Sequence, residues 1–86
     1  MESNLSEHEK TLIEALSKGN VLAFNTLFKE YSGKLYRFVY GYLKSEFETE
    51  ELVQEVFTII WEKREKLKCD LSFKSFIFKI AFNCIL

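Results

Sequence analysis

With 86 residues, of which 48% are hydrophobic, the chain has material for one small core, so its length excludes a second domain. A membrane-spanning helix is also excluded, because the most apolar stretch, residues 76–86, is far shorter than about 20 residues and contains Lys79. The net charge of −1 conceals a segregation: residues 44–62 hold six acidic and one basic residue, net −5, whereas residues 63–86 hold two acidic and six basic residues, net +4. We therefore expect two surfaces of opposite charge.

The composition favours long helices joined by few turns. Proline is absent, glycine occurs only 3 times, and no segment shows the alternation of β-branched residues that is typical of strands. We predict an all-α fold, a compact bundle of about four helices, in which residues 1–86 form a single domain.

The first two helices are predicted from capping residues and apolar spacing. Ser6 and Glu9 form a capping box, so the first helix should begin near Glu7, and Gly19 should end it in a left-handed conformation. Asn20 is placed to cap the second helix. The apolar positions of the second helix recur at helical spacing: Phe24, Leu27, Phe28, Tyr31, Leu35, Phe38, Val39 and Tyr42.

Two features of the second helix carry further expectations. The pair Ser32-Gly33 should kink or split the helix, because such pairs loosen its hydrogen bonds. Gly41 costs about 1 kcal/mol of helix propensity relative to alanine, so it should mark a close contact between helices.

The third helix is predicted from Glu46 to about Lys66, with Ser45 and Glu48 as its capping box. In its apolar face, Phe57 and Trp61 lie one turn apart, and we expect Phe28 and Phe38 to pack on them. The other face carries a continuous polar stripe, Glu51, Gln54, Glu55, Thr58 and Glu62. This stripe has two interpretations: a solvated helix surface, or a docking surface for a basic partner helix.

The connector Lys68-Cys69-Asp70 leads to a fourth helix, which Ser72 should cap while Leu71 packs on Phe76. Its core positions are predicted to be Phe73, Phe76, Ile77 and Ile80, with Lys74, Lys79, Phe82 and Asn83 off that stripe. Lysines and aromatic rings together suit single-stranded nucleic acid; the alternative is that the rings form the core and the lysines are solvated. No capping signal stops this helix at Leu86, so we expect the chain to be cut inside a larger structure.

Catalytic, metal and cofactor functions have little support in the sequence. Glycine-rich phosphate loops and nucleophile motifs are absent, and Glu50, Glu51 and Glu55 lie on a helix surface with no cleft to shift their pKa values. We therefore predict neither an enzyme nor a cofactor. Cys69 and Cys84 form no metal-binding pattern, so two reduced thiols in a cytoplasmic protein are expected. The polar amino terminus shows no signal peptide.

Three segments in order resemble a known family: AFNTLFKEYSGKLYRFVYGYL, EELVQEVFTIIW and FKSFIFKIAFN, which together span roughly residues 21–86. The chain resembles the amino-terminal promoter-melting domain of bacterial RNA polymerase sigma factors of the extracytoplasmic-function (ECF) type. The resemblance implies a role in transcription initiation, with docking on core RNA polymerase and recognition and melting of the minus-ten promoter element. It also implies an anti-sigma factor as a further partner.

The resemblance also implies roles for particular residues. The family's central helix docks on the clamp helices of the polymerase's largest subunit, which assigns that role to the stripe residues Glu51, Gln54, Glu55 and Thr58. The family's last two helices and the loop between them hold the non-template strand of the minus-ten element, with one base flipped into the loop. That role falls on Lys66, Lys68, Cys69, Asp70, Lys74, Lys79 and Asn83.

The chain departs from the family pattern in two positions. Phe76 stands where the family often has tryptophan, and Phe82 stands where it often has arginine, which removes one phosphate contact. The carboxy-terminal helix-turn-helix domain of the family is not in this sequence, so we expect a domain that does not direct transcription alone. The runner-up interpretation is a helical protein–protein interaction module with no nucleic-acid role.

Overall fold

The structure, a computed structural model, describes residues 7–67 and 72–86. These residues form α-helices and one short 3-10 helix, which confirms the predicted all-α fold. No helix within the described residues is long and apolar enough to cross a membrane. The elements in chain order are α1 (Glu7–Ser17), α2 (Val21–Leu43), α3 (Glu46–Glu62), the 3-10 helix (Arg64–Lys66) and α4 (Phe73–Ile85). Five residues with assigned roles lie outside the described residues: Ser6, Lys68, Cys69, Asp70 and Leu71.

The predicted capping residues occupy the ends of the helices. Gly19 has a φ of 89°, and the N–H of Asn20 bonds the carbonyl of Ala15 at 3.0 Å, which is the hydrogen-bond pattern of a Schellman motif ending α1. The Asn20 side chain then accepts from the N–H of Ala23 at 2.9 Å and starts α2. The hydroxyls of Ser45 and Ser72 accept in the same way at the starts of α3 and α4. Local chemistry therefore sets these helix boundaries.

The structure corrects two expectations about α2. The helix is continuous from Val21 to Leu43, so the pair Ser32-Gly33 does not split it. Tyr31 and Leu35, on either side of the pair, are both buried, and their packing outweighs the small intrinsic cost of serine and glycine. Gly41 makes no close helix contact: a Cβ built there would meet nothing within 4 Å. This glycine lies on the exposed side of α2.

The third helix is shorter than predicted. It ends at Glu62 rather than near Lys66, and the chain continues as the 3-10 helix. Arg64 explains the change, because its guanidinium donates from Nη1 to the carbonyl of Trp61 at 2.8 Å and satisfies the end of α3. The same guanidinium lies 4.2 Å from the centre of the Trp61 ring, which adds a cation–π contact.

The core is formed where α2, α3 and α4 meet. Phe57 is buried, and Phe28 packs on it with ring centres 4.7 Å apart, as predicted. Phe38 does not join this contact; its ring packs on Phe78 of α4 at 5.1 Å, because α4 rather than α3 covers that part of α2. In α4, Phe73 and Ile77 are fully buried, Phe76 and Ile80 are half-buried, and Ala81 is a buried position that the prediction omitted.

Helix α1 is attached to α2 by polar contacts as well as apolar packing. The Tyr31 hydroxyl donates to the carboxylate of Glu9 at 3.0 Å, and the His8 ring lies 3.3 Å from the Glu30 carboxylate. Tyr31 also packs edge-on against Phe73 at 5.2 Å, so one side chain joins α1, α2 and α4. Burial and the hydrogen bond to Glu9 raise the pKa of Tyr31 from its ordinary value of 10.0 to about 12.

Tyr31 should make stability depend on alkaline pH. Between pH 10.0 and about 12 the unfolded chain loses the Tyr31 proton while the folded chain retains it, so the free energy of unfolding should fall as pH rises. Tyr31→Phe cannot titrate there and should show a shallower fall in denaturant unfolding measured across this range. Tyr42→Phe, at an exposed tyrosine, is the matched control. Parallel pH profiles for Tyr31→Phe and the parent chain would contradict this assignment.

Thr49 should be a site where a substitution stabilises the fold. Its side chain is fully buried and its hydroxyl has no hydrogen-bond partner, whereas the hydroxyl of Thr58 donates to a carbonyl one turn earlier. Thr49→Val replaces the unpaired hydroxyl with a methyl group, so the free energy of unfolding should rise by about 1 kcal/mol. Thr49→Ser keeps the hydroxyl, removes a buried methyl group and should lower stability. A thermal midpoint of Thr49→Val below that of the parent chain would show that the hydroxyl is satisfied.

Candidate docking and nucleic-acid surfaces

The polar stripe of α3 lies on the side of the helix that faces away from the core. All five stripe residues are exposed, and four of them line one shallow depression of about 400 Å³: Glu51, Gln54, Glu55 and Thr58. The Thr58 hydroxyl donates to the carbonyl of Gln54 at 3.0 Å, so it is committed to the helix itself. The two carboxylates and the Gln54 amide therefore remain as the groups that a partner would meet.

The carboxylates of this stripe have no basic partner within residues 7–67 and 72–86. In that part of the chain a lysine–carboxylate contact joins Lys18 to Glu14 on α1, and the His8 ring contacts the Glu30 carboxylate of α2. Glu51 and Glu55 thus present negative charge on the surface of α3, with no described cation in direct contact with either carboxylate. Such an arrangement attracts and orients a basic partner surface.

An apolar groove borders the stripe, and the sequence reasoning did not predict it. It lies between α2 and α3, has a volume of about 500 Å³, and shares Gln54 and Thr58 with the stripe. Its aromatic walls are Phe24, Phe28, Phe57 and Trp61. Trp61 is half-buried, with its ring 5.3 Å from that of Phe24, so part of this expected core residue faces the groove. In the sequence, the signal for this groove was the breadth of the apolar face of α3, which is wider than a surface helix needs.

A second groove, of about 520 Å³, lies between α3 and α4. Lys79 and Asn83, both predicted to bind DNA, line it with Glu55 of the polar stripe and with Lys63. The Cys84 thiol also lines this groove, and its pKa is raised by burial and by the nearby Glu55 carboxylate. The acidic stripe and the basic side of α4 therefore meet along one groove.

The other candidate DNA-binding residues lie apart from that groove or outside the described residues. Lys74 is exposed on α4 but lies about 140° around the helix from Lys79, so the two lysines do not share a face. Lys66 is exposed at the end of the 3-10 helix. The candidates Lys68, Cys69 and Asp70 lie outside the described residues.

The structure also places Lys63 at the end of α3 and describes one of the two cysteines. Lys63 is the C-terminal capping residue of α3 and also lines the α3–α4 groove. Cys84 is a free thiol, as predicted, and Cys69 lies outside the described residues. Within residues 7–67 and 72–86, no three histidine, cysteine or acidic side chains are grouped to hold a metal ion.

Aromatic side chains outside the core form a further surface feature. Tyr42 and Phe82 are 55% and 41% exposed, respectively, and their ring centres lie 6.1 Å apart across the α2–α4 contact. The sequence placed Phe82 off the core stripe, which is confirmed, but gave no reason to pair it with Tyr42. Forty residues separate the two in the chain, so only the packing of α4 on α2 brings them together.

A solved structure has the same arrangement of helices. The chain superposes with a TM-score of 0.83 on an engineered region 2 of sigmaE, whose NMR structure was determined in complex with GTAAAA. The two sequences are 28% identical, and the match covers 93% of this chain and 85% of that one. No curated protein sequence matches the chain significantly.

A family comparison covers most of the helices described above. The family model described as sigma-70 region 2 matches residues 27–86, which include all of α3 and α4 and most of α2. Region 2 is the part of a sigma factor that binds core RNA polymerase and recognises and melts the minus-ten promoter element. The chain therefore belongs to the sigma-70 region 2 family.

Proposed function

We propose that this chain is region 2 of a bacterial ECF-type sigma factor, which docks on core RNA polymerase through α3 and holds the melted minus-ten element with α4. The observation that carries the proposal is the α3–α4 groove, where Glu55 of the acidic stripe lies beside Lys79 and Asn83. A protein that docks on polymerase by one surface and binds promoter DNA by the adjacent one places the strand at the polymerase. The match to a DNA-bound region 2 of sigmaE supports the ECF assignment.

The docking surface is proposed to be the stripe of Glu51, Gln54, Glu55 and Thr58. Among the described residues its carboxylates make no ion pair, and they lie on a helix whose opposite face is buried, so the helix that carries them is held in place. The partner is a basic helical surface, which corresponds to the clamp helices of the polymerase's largest subunit. The neighbouring apolar groove offers room for apolar side chains of the same partner.

The nucleic-acid surface is proposed to combine α4 with the preceding connector. Helix α4 carries Lys74 and Lys79 and no acidic residue, so its field favours phosphate along its whole length. Asn83 adds an amide that donates and accepts hydrogen bonds at a base edge. Lys66, Lys68, Cys69 and Asp70 complete the set, with the connector as the place where a flipped base is held.

The biological setting follows from this role. The chain acts in transcription initiation while the polymerase carries out the chemistry, so the chain itself is not an enzyme. Its place of action is the bacterial cytoplasm, where the polymerase and the promoter are found. An anti-sigma factor is a further proposed partner, because a protein that covers α3 or α4 would block either docking or strand binding.

A helical protein-interaction module remains the competing function, because the acidic stripe suits a basic protein partner with or without DNA. The two functions differ in strand preference. The sigma-factor role requires tighter binding to a single-stranded oligonucleotide than to its duplex, whereas the interaction module requires no binding to either.

Docking should depend on the charge of the stripe. Gln54→Ala combined with Glu55→Lys should weaken binding to core RNA polymerase at least tenfold, because attraction to a basic partner becomes repulsion. The measurement is a titration of labelled chain with core polymerase, with helicity checked by circular dichroism. Glu14→Lys makes the same change of charge on α1, away from the stripe, and serves as the control. Equal polymerase affinities for the double variant and the parent chain would remove α3 from the docking surface.

Lys79 should contribute to DNA binding through phosphate and not through base recognition. Lys79→Ala should weaken all single-stranded oligonucleotides about equally and reduce the salt dependence by about 0.7 in the log–log slope. The measurement is fluorescence anisotropy with labelled GTAAAA and single-base variants over a series of salt concentrations. Lys29→Ala, at an exposed lysine of α2, is the control of equal charge. An altered base preference in Lys79→Ala would place this side chain at a base edge instead.

A further inference from the structure

A row of four aromatic rings runs from the contact between α2 and α4 out to the surface. Phe78 of α4 packs on Phe38 of α2 at 5.1 Å, Phe38 packs on Tyr42 at 5.4 Å, and Tyr42 packs on Phe82 at 6.1 Å. The angles between successive rings are 90°, 66° and 67°, so each contact joins the edge of one ring to the face of another. These contacts hold the rings of Tyr42 and Phe82, the two outer members of the row, in place.

The inner and outer rings of this row differ in exposure. Phe38 and Phe78 are half-buried against the core, whereas Tyr42 and Phe82 are 55% and 41% exposed. At 41% exposure, a large part of the Phe82 side chain is open to solvent. The domain therefore presents a held aromatic surface that its own core does not use.

The charges beside this surface identify its occupant. Lys79 lies three residues before Phe82 on α4, which places the two side chains on neighbouring positions of the helix surface, and both are exposed. Helix α4 has no acidic residue to repel phosphate. A cation next to an exposed ring is the pairing that binds single-stranded nucleic acid, with the phosphate on the cation and the base on the ring.

We propose that Phe82, held in place by Tyr42, is a stacking surface for one unpaired base of the melted promoter strand. The inference rests on the proposed function and adds to it an aromatic contact on α4. Ten residues of helix, about 15 Å, separate Phe82 from Ser72 at the end of the connector. The base on Phe82 is therefore a different nucleotide from the one held by the connector.

Substitutions of Phe82 that remove or enlarge the aromatic ring without changing the charge test the proposal. Phe82→Leu keeps an apolar side chain but removes the ring, and should weaken binding of single-stranded GTAAAA by about fivefold or more, whereas Phe82→Trp should retain or strengthen it. The salt dependence should be unchanged in Phe82→Leu, since no charge is lost, in contrast to Lys79→Ala. Phe47→Ala removes another exposed ring, on α3, and should leave the affinity unchanged.

A scan with abasic nucleotides locates the stacked base. One abasic substitution at a time is placed along the oligonucleotide, and each is titrated with the parent chain and with Phe82→Leu. At one position the abasic substitution should weaken binding of the parent chain but should not weaken binding of Phe82→Leu any further. The reason is that the base and the ring belong to the same contact, which Phe82→Leu has already lost. At the other positions the two losses should add.

Three results would overturn the proposal. Phe82→Leu could bind as tightly as the parent chain, the losses could add at every position of the scan, or Phe82→Leu could change only the sedimentation of the protein, which would make the rings a contact between copies of the chain. Failure of the proposed function looks different: the parent chain itself would then bind neither single-stranded nor duplex DNA. A working parent chain with an unaffected Phe82→Leu variant thus refutes the stacking contact alone.

Discussion

The packing of α3 on α2 is the interaction on which the rest of the structure depends. Phe57 of α3 is buried against α2, where its ring contacts Phe24 and Phe28, and a connection of only two residues, Lys44 and Ser45, folds α3 back along its neighbour. Once this face is buried, the opposite face of α3 must lie in solvent, because a helix has a fixed period of 3.6 residues. The acidic stripe is therefore displayed as a consequence of core formation, on a helix that cannot rotate to hide it.

The position of α4 then determines how the two charged surfaces are related. Phe73, Ile77 and Ala81 are buried against the other helices, so α4 lies beside α3 with Lys79 and Asn83 along the groove that also contains Glu55. Opposite charges in one groove attract different partners to adjacent places. This arrangement suits a domain that holds the non-template strand of the promoter next to the polymerase.

The stacking contact proposed for the exposed pair of Tyr42 and Phe82 would differ in its chemistry from a phosphate contact. A cation in the position of Phe82 would contact phosphate, and its contribution would weaken as salt rises. A ring in that position would stack on a base instead, and stacking is far less sensitive to salt. Tyr42 stabilises this alternative because its ring holds Phe82 by the edge, 6.1 Å away, so less conformational freedom is lost when a base stacks.

The sequence by itself determined the helical class, the capped helix starts at Asn20, Ser45 and Ser72, and the family, because these depend on neighbouring residues and on periodicity. It also placed the acidic stripe, since residues three and four apart on a helix share a face. Tertiary structure alone decided that α2 continues through Ser32-Gly33 and that the rings of Tyr42 and Phe82 meet. The reason is physical: burial of Tyr31 and Leu35 outweighs a weak local preference, and contacts between residues far apart in the chain leave no periodic trace in it.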